Sequence, residues 1–302
     1  MLKYYCFFMT GFHKILNHLF IGLFITLFLA SCNKEENENN TIFPNSNKAY
    51  SYLYLGHPRT ESVYNLDPIV EALDFTQFDM LWLGGDLTAA TSKHDSILEN
   101  MESIFNISSP NTLWSLGNHD NYYKFNTTEH TNRLPYYTYY KNGITFLVFD
   151  TQDRDSLSNI VNEQLELFNN VTDTITKSKH LVILTHKLIW LDGNPALESY
   201  MDNIPNGGPG TCHYCLNPNN FYTDLYPKLK GIKANGINVI CIAGDLGKKV
   251  LDFEYVTPEG VHFLASGIKG NSPGNKVLLF EQEHSSQALS WKFIDIETLK
   301  RK

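Results

Sequence analysis

The chain is 302 residues long, with 42% hydrophobic and 19% charged residues, a balance that fits a folded globular protein and excludes a disordered one. Its formal net charge of −8 comes without a dense Lys/Arg block, which argues against a nucleic-acid backbone as the main partner, because that binding rests on clustered cations. A phosphate-bearing substrate must then find positive charge in a metal ion or a few local residues. Lys3 and Lys14 precede an apolar run from Leu19 to Phe28 that is short for a membrane span and runs into small residues, so 1–31 reads as a secretory signal.

Leu29-Ala30-Ser31-Cys32 resembles the bacterial lipobox. That resemblance makes Cys32 the acylated first residue of a mature outer-membrane lipoprotein, periplasmic or surface-exposed. The following Asn33-Lys34-Glu35-Glu36 is similar to the acidic export signal of surface lipoproteins in Bacteroidetes-like bacteria. Residues 32–48 are rich in Asn and Glu without an apolar period, and read as a flexible acidic tether; 49–302 form one domain.

Within that domain the pattern predicts a strand over Tyr50–Leu55, a helix over Asp67–Phe75 with Pro68 in its first turn, and a strand Met80–Leu83 running into Gly84-Gly85-Asp86. A helix over Ser92–Phe105 follows, then a strand from Thr112 to Leu116 that delivers Gly117-Asn118-His119-Asp120. Further strands are expected over Gly143–Asp150, Leu181–His186, Ile237–Ala243, Val261–Gly267 and Lys276–Phe280, with helices from Asn162 and over Leu225–Lys233. The Gly-, Pro- and Asn-rich stretch from Trp190 to Asn220 is long for a connection and is expected to cover a site. Cys212 and Cys215 have no second pair to complete a zinc site, so a disulfide or two free thiols fits an exported protein better; Cys241 reads as a buried apolar residue. His130, His213 and His262 lack motif context, and the Tyr136-Tyr137 and Tyr139-Tyr140 clusters read as packing.

Asp carboxylates, an Asn carboxamide and imidazoles at successive strand ends can ligate a divalent ion and move protons. On Gly85-Asp86, Gly117-Asn118-His119-Asp120, the strand-terminal His186 and the glycine-led turn Gly244-Asp245-Leu246-Gly247, the chain resembles the calcineurin-like metallophosphoesterases. The resemblance covers Tyr50 to the C-terminus. It implies an α/β fold of two packed β-sheets flanked by helices, a four-layer sandwich with its site at the strand ends. It also implies two metals bridged by one Asp, here Asp86, with Asn118 and His186 completing one sphere. His119 would then serve the leaving group, oriented by Asp120.

Two departures stand out. Leu55-Gly56-His57 lacks the family's first Asp while keeping His57, and Gly244-Asp245-Leu246-Gly247 lacks its last two His. The losses that have no substitute, at Leu55 and Gly247, fall on the same metal, which keeps only His57 and a share of Asp86. Two ligands do not hold a divalent ion. The expected site is therefore one ion held by Asp86, Asn118, His186 and Asp245, and its oxygen-rich set favours Mn²⁺, Mg²⁺ or Fe²⁺ over zinc. Arg59 is placed to fill the vacated position with a guanidinium, and Lys248 is a second candidate. The expected function is hydrolysis of a small phosphomonoester or phosphodiester, or a phosphorylated envelope component, with no nucleic-acid partner. The alternative is a non-catalytic surface lipoprotein that binds a ligand in a degenerate cleft.

Overall fold

The computed structural model describes residues 49–60, 64–121, 123–152, 159–201, 219–246, 252–270, 272–299 and 301. The signal, the tether with Cys32, and Cys212, His213, Cys215, Gly247 and Lys248 lie outside the described residues, all of which belong to one compact unit spanning Thr41–Lys302.

Eleven strands among the described residues form two sheets. One holds β1 (Ala49–Leu55), β2 (Met80–Leu83), β3 (Thr112–Trp114), β10 (Lys276–Glu283) and β11 (Leu289–Asp295), in the order β11-β10-β1-β2-β3. The other holds β4 (Tyr137–Lys141), β5 (Ile144–Val148), β6 (His180–Thr185), β7 (Asn238–Ala243), β8 (Asp252–Val256) and β9 (His262–Ser266), in the order β4-β5-β6-β7-β9-β8. Strands β1, β2 and β3 are mutually parallel, as are β5, β6, β7 and β9; the remaining strands add on antiparallel. All parallel strands therefore point their C-terminal ends the same way within each sheet, which is where α/β proteins gather chemistry.

The alternation of side chains explains the layering. On β1, Leu53 and Leu55 face outward into an apolar layer shared with Val70 of α1 (Pro68–Glu71) and Leu98, Met101 and Phe105 of α2 (Asp95–Phe105). Tyr52 and Tyr54 face inward, and with Trp82, Phe146, Val182, Ile240 and Phe280 they fill the space between the sheets. Trp82 lies at ring-centroid distances of 5.3 Å from Tyr52, 5.1 Å from Phe146 and 4.6 Å from Phe280, so residues of both sheets share one aromatic cluster. The outer face of the second sheet packs on Phe168 of α4 (Asn162–Thr174) and Leu229 and Ile232 of α5 (Tyr226–Ala234). Helix, sheet, sheet, helix: the expected four layers are present.

Several local expectations change. The helix over Asp67–Phe75 is a single turn, because Asp67 caps Ile69 and Asp74 then accepts from Thr76, starting a separate 3-10 turn at Phe75–Gln77. Helix α3 (Lys124–Thr131) and strands β4, β8 and β11 go beyond the sequence reading. The three strands lie at sheet edges, where few residues are buried and the apolar signal is weak. The Tyr cluster is that β4 edge, with the Tyr137 hydroxyl accepting from Trp114 N at 2.8 Å. Cys241 is buried with a free thiol, as expected, and burial pushes its pKa up. Among the described residues no helix is long and apolar enough to cross a membrane.

Candidate active site

Backbone geometry builds the site before any side chain does. The ends of β1, β2 and β3 are laced by Gly84 N→Leu55 O (2.8 Å) and Ser115 N→Leu83 O (3.0 Å), and the end of β6 meets that of β7 through Gly244 N→His186 O (3.0 Å). The two sheets touch where Gly84 faces Gly244: a Cβ on Gly84 would lie 2.9 Å from Gly244 Cα and against the Tyr54 hydroxyl. Only glycines permit that approach, and it brings Asp86 from one sheet beside His186 and Asp245 from the other. His57 (φ +51°) and Asp86 (φ +54°) both adopt the left-handed region that side-chain-bearing residues avoid, at about 1–3 kcal/mol each. Such strain is maintained where the surrounding structure over-determines it.

Asp86 is the hub. Its side chain is buried; Oδ1 accepts from His119 N (2.9 Å) and lies 3.7 Å from His186 Nε2. Oδ2 lies 3.8 Å from His57 Nε2, 3.9 Å from Arg59 Nη2 and 3.9 Å from His119 Nε2. Burial pushes the Asp86 pKa up, but the His186, His57 and His119 rings and the His119 amide outweigh it, and the net shift is down. His186 is fully buried, with Nδ1 2.6 Å from Gly84 O. A carbonyl only accepts, so Nδ1 carries the proton and Nε2 carries the lone pair in the neutral ring. That Nε2 has no hydrogen-bond partner; it faces Asp86 Oδ1 and, at 3.8 Å, Asp245 Oδ1. Burial lowers the His186 pKa, yet Asp86, Asp245 and the Gly84 carbonyl together raise it above the ordinary value.

One assigned role changes. Asp120 does not orient His119. Its Oδ2 accepts from Asp86 N (2.5 Å) and Gly117 N (2.9 Å), and Oδ1 from Leu87 N (3.0 Å). The carboxylate is a buried clamp joining the two glycine turns, and burial followed by the Asp86 charge raises its pKa. His119 is held instead by the Ala89 carbonyl, 3.0 Å from Nδ1, which leaves Nε2 facing the cleft with the side chain about one-third exposed. Asn118, expected as a ligand, is exposed in its turn and makes no hydrogen bond among the described residues.

His57 and Arg59 form a pair: Arg59 Nε donates to His57 Nε2 at 3.2 Å. Burial, with Arg59 and His186 adding to it against the pull of Asp86, lowers the His57 pKa to about 3, so the ring is a neutral acceptor. The sequence reading overlooked Lys187, directly after His186. It is partly buried; burial lowers its pKa while Asp245 and the buried Asp150 pull it back up. Its place beside a strand-terminal His was the available signal. His130 approaches Glu102 (3.8 Å) and His262 packs edge-on against Trp291, both away from this cluster.

The family model for calcineurin-like phosphoesterases matches residues 57–209, half of the chain, and the chain belongs to that family, a class of phosphoric ester hydrolases. Among solved structures, it resembles a dimetal phosphatase from Danio rerio (10% identity, TM-score 0.48, covering 82% of this chain and 99% of that one). It also resembles an NAD nucleotidase from Haemophilus influenzae (11% identity, TM-score 0.42, 82% of this chain and 50% of that one). A third is a phosphopantetheinyl hydrolase from Mycobacterium tuberculosis (12% identity, TM-score 0.39, 73% and 90%). No curated protein matches the sequence significantly.

The family implies a divalent metal, and the donor set can be tested against one. His186 supplies a buried lone pair with a fixed tautomer and two carboxylates at 3.7 and 3.8 Å, separations suited to atoms that share an ion about 2.1 Å from each. The arrangement is pairwise around His186: among the described residues no group of three or more His, Cys, Asp and Glu side chains already stands as a metal-holding cluster. The donors that face one another most closely are His186 Nε2 and the Asp86 and Asp245 carboxylates. His57 presents no free lone pair, because Arg59 engages its Nε2.

Proposed function

We propose that this chain is a metal-dependent hydrolase of phosphomonoesters or phosphodiesters that works at a bacterial cell envelope with one divalent ion. The observation carrying the reading is His186 Nε2: a fully buried lone pair, its tautomer set by Gly84 O, aimed between two carboxylates with nothing bonded to it. An unpartnered buried nitrogen is costly unless something completes it. Bound there, the ion would act as a Lewis acid on a phosphoryl oxygen and lower the pKa of water.

The chain's own residues supply the rest. Asp86, whose pKa the neighbouring His rings lower, and Asp245 stand beside His186 and fix the charge the ion must balance. His119, with its Nδ1 proton committed to Ala89 O, hands a proton from Nε2 to the departing alkoxide when it is the imidazolium. Asp120 keeps both turns in register through three backbone amides. Replacing His119 with Ala should cut turnover of p-nitrophenyl phosphate and its bis ester by about 10²–10⁴-fold with metal content unchanged. Undiminished activity would remove His119 from the chemistry. Turnover absent with every metal, alongside tight retention of an unhydrolysed phosphoester, would favour the non-catalytic ligand binder.

The envelope location is supported by the apolar run and the Leu29-Ala30-Ser31-Cys32 sequence. Cells fed a labelled fatty acid should mark the wild-type protein and not Cys32→Ser; equal labelling of both would exclude acylation at Cys32.

A further inference from the structure

Asp86 offers two oxygens to two different surroundings. Oδ1 faces His186, whereas Oδ2 faces His57, Arg59 and His119. We propose that Arg59, held by His57, is a built-in clamp for two oxygens of a phosphoryl group, and that its guanidinium supplies the positive charge on the Oδ2 side of Asp86. The inference rests on the phosphoester reading of the site and deepens it.

Three observations carry it. The His57 lone pair is already spent, since Nε2 accepts from Arg59 Nε at 3.2 Å. The guanidinium is set in place by the backbone: Arg59 bridges Leu66, Asp67 N donates to Pro58 O at 2.9 Å, and Thr60 N to Asn65 O at 3.2 Å. Its terminal nitrogens are unspent, because Nη2 stands 3.9 Å from Asp86 Oδ2, beyond hydrogen-bond reach, and neither Nη bonds a described residue.

A solvated surface arginine looks different. This side chain is only 15% exposed, and its Nε lies against a buried imidazole, while the free edge of the fork keeps parallel N–H donors of the spacing that matches two phosphate oxygens. Arginine does not lose its charge, so the Oδ2 side of Asp86 carries a fixed cation. His57 is thus a positioning residue for Arg59, not a metal ligand.

The test uses the full chain, with and without Mn²⁺. Elemental analysis reads metal content, and calorimetry with inorganic phosphate reads anion binding. Wild type should hold one Mn²⁺. Arg59→Ala should keep that one ion and lose about 10- to 100-fold in phosphate affinity, the weight of hydrogen bonds to a charged group. Arg59→Lys should fall between, since an ammonium is a point charge without the planar fork. His57→Ala should also keep its ion while weakening phosphate binding. Two ions in the wild type, metal loss in His57→Ala, or unchanged phosphate affinity in both Arg59 variants would each overturn the proposal. Because phosphate binding is also read without Mn²⁺, a failure of the metal reading leaves the Arg59 result interpretable.

Discussion

The two sides of Asp86 solve the same electrostatic problem in different ways. On the Oδ1 side, contributed across the sheet interface by β6 and β7, two carboxylates surround a histidine whose outer nitrogen is bonded to nothing. On the Oδ2 side, contributed by the loop after β1, the histidine is already satisfied by a neighbouring guanidinium. One side leaves a buried nitrogen without a hydrogen-bond partner; the other carries a cation on the chain. The difference between the two histidines lies in the partner of the outer nitrogen. What matters is whether its outer lone pair has been claimed.

The largest expected break of this contrast is His186→Ala. It removes the open lone pair, so metal affinity should fall by more than the roughly 10–100-fold typical of a supporting residue, and turnover with it. The sign of the pH effect follows from His186. Its metal-free pKa lies above the ordinary value of about 6.5, so protons compete for Nε2, and metal binding to the wild type should weaken as pH falls through that raised value. A titration of metal affinity against pH showing no weakening on the acid side would remove His186 from the coordination sphere. Loss of His119 comes next in size and leaves the ion in place, while the Arg59 variants sharpen the other side by moving phosphate affinity without moving metal content.

The smallest expected effect belongs to Asp120→Asn. An amide cannot accept from Leu87 N while also accepting from Asp86 N and Gly117 N, so thermal or urea unfolding should show a loss of about 1–3 kcal/mol. Turnover per folded molecule should change by less than about tenfold, whereas a carboxylate that orients a catalytic imidazole costs about 10⁴-fold when made an amide. A drop of that size in the folded variant would return Asp120 to the orienting role.

Much of the layering was readable because parallel strands between two layers are apolar on both faces, as in Met80–Leu83 and Leu181–Leu184, and glycines directly after such runs mark their ends. Edge strands such as Leu289–Asp295 were harder, since only one of the seven residues of that strand is buried. The site divides similarly. Asp86, His119, His186 and Asp245 could be picked out by residue type at strand ends, and the family match covers the first three. The partners of Asp120 could not, because the amides of Asp86 and Leu87 lie more than thirty positions away and become neighbours only when β2 and β3 pair.

The order of residues by itself determined which groups are present and roughly where each strand stops: continuous apolar runs and glycine punctuation are local, and local physics writes them into the chain. Tertiary structure decided who meets whom. The glycine-to-glycine approach of Gly84 and Gly244 sets His186 against Asp86, and the positive φ at His57 accompanies its pairing with Arg59 at the Asp86 hub. A hydrogen bond or an orphaned lone pair depends on tenths of an ångström between segments far apart in sequence, and only the packing of two sheets fixes such distances.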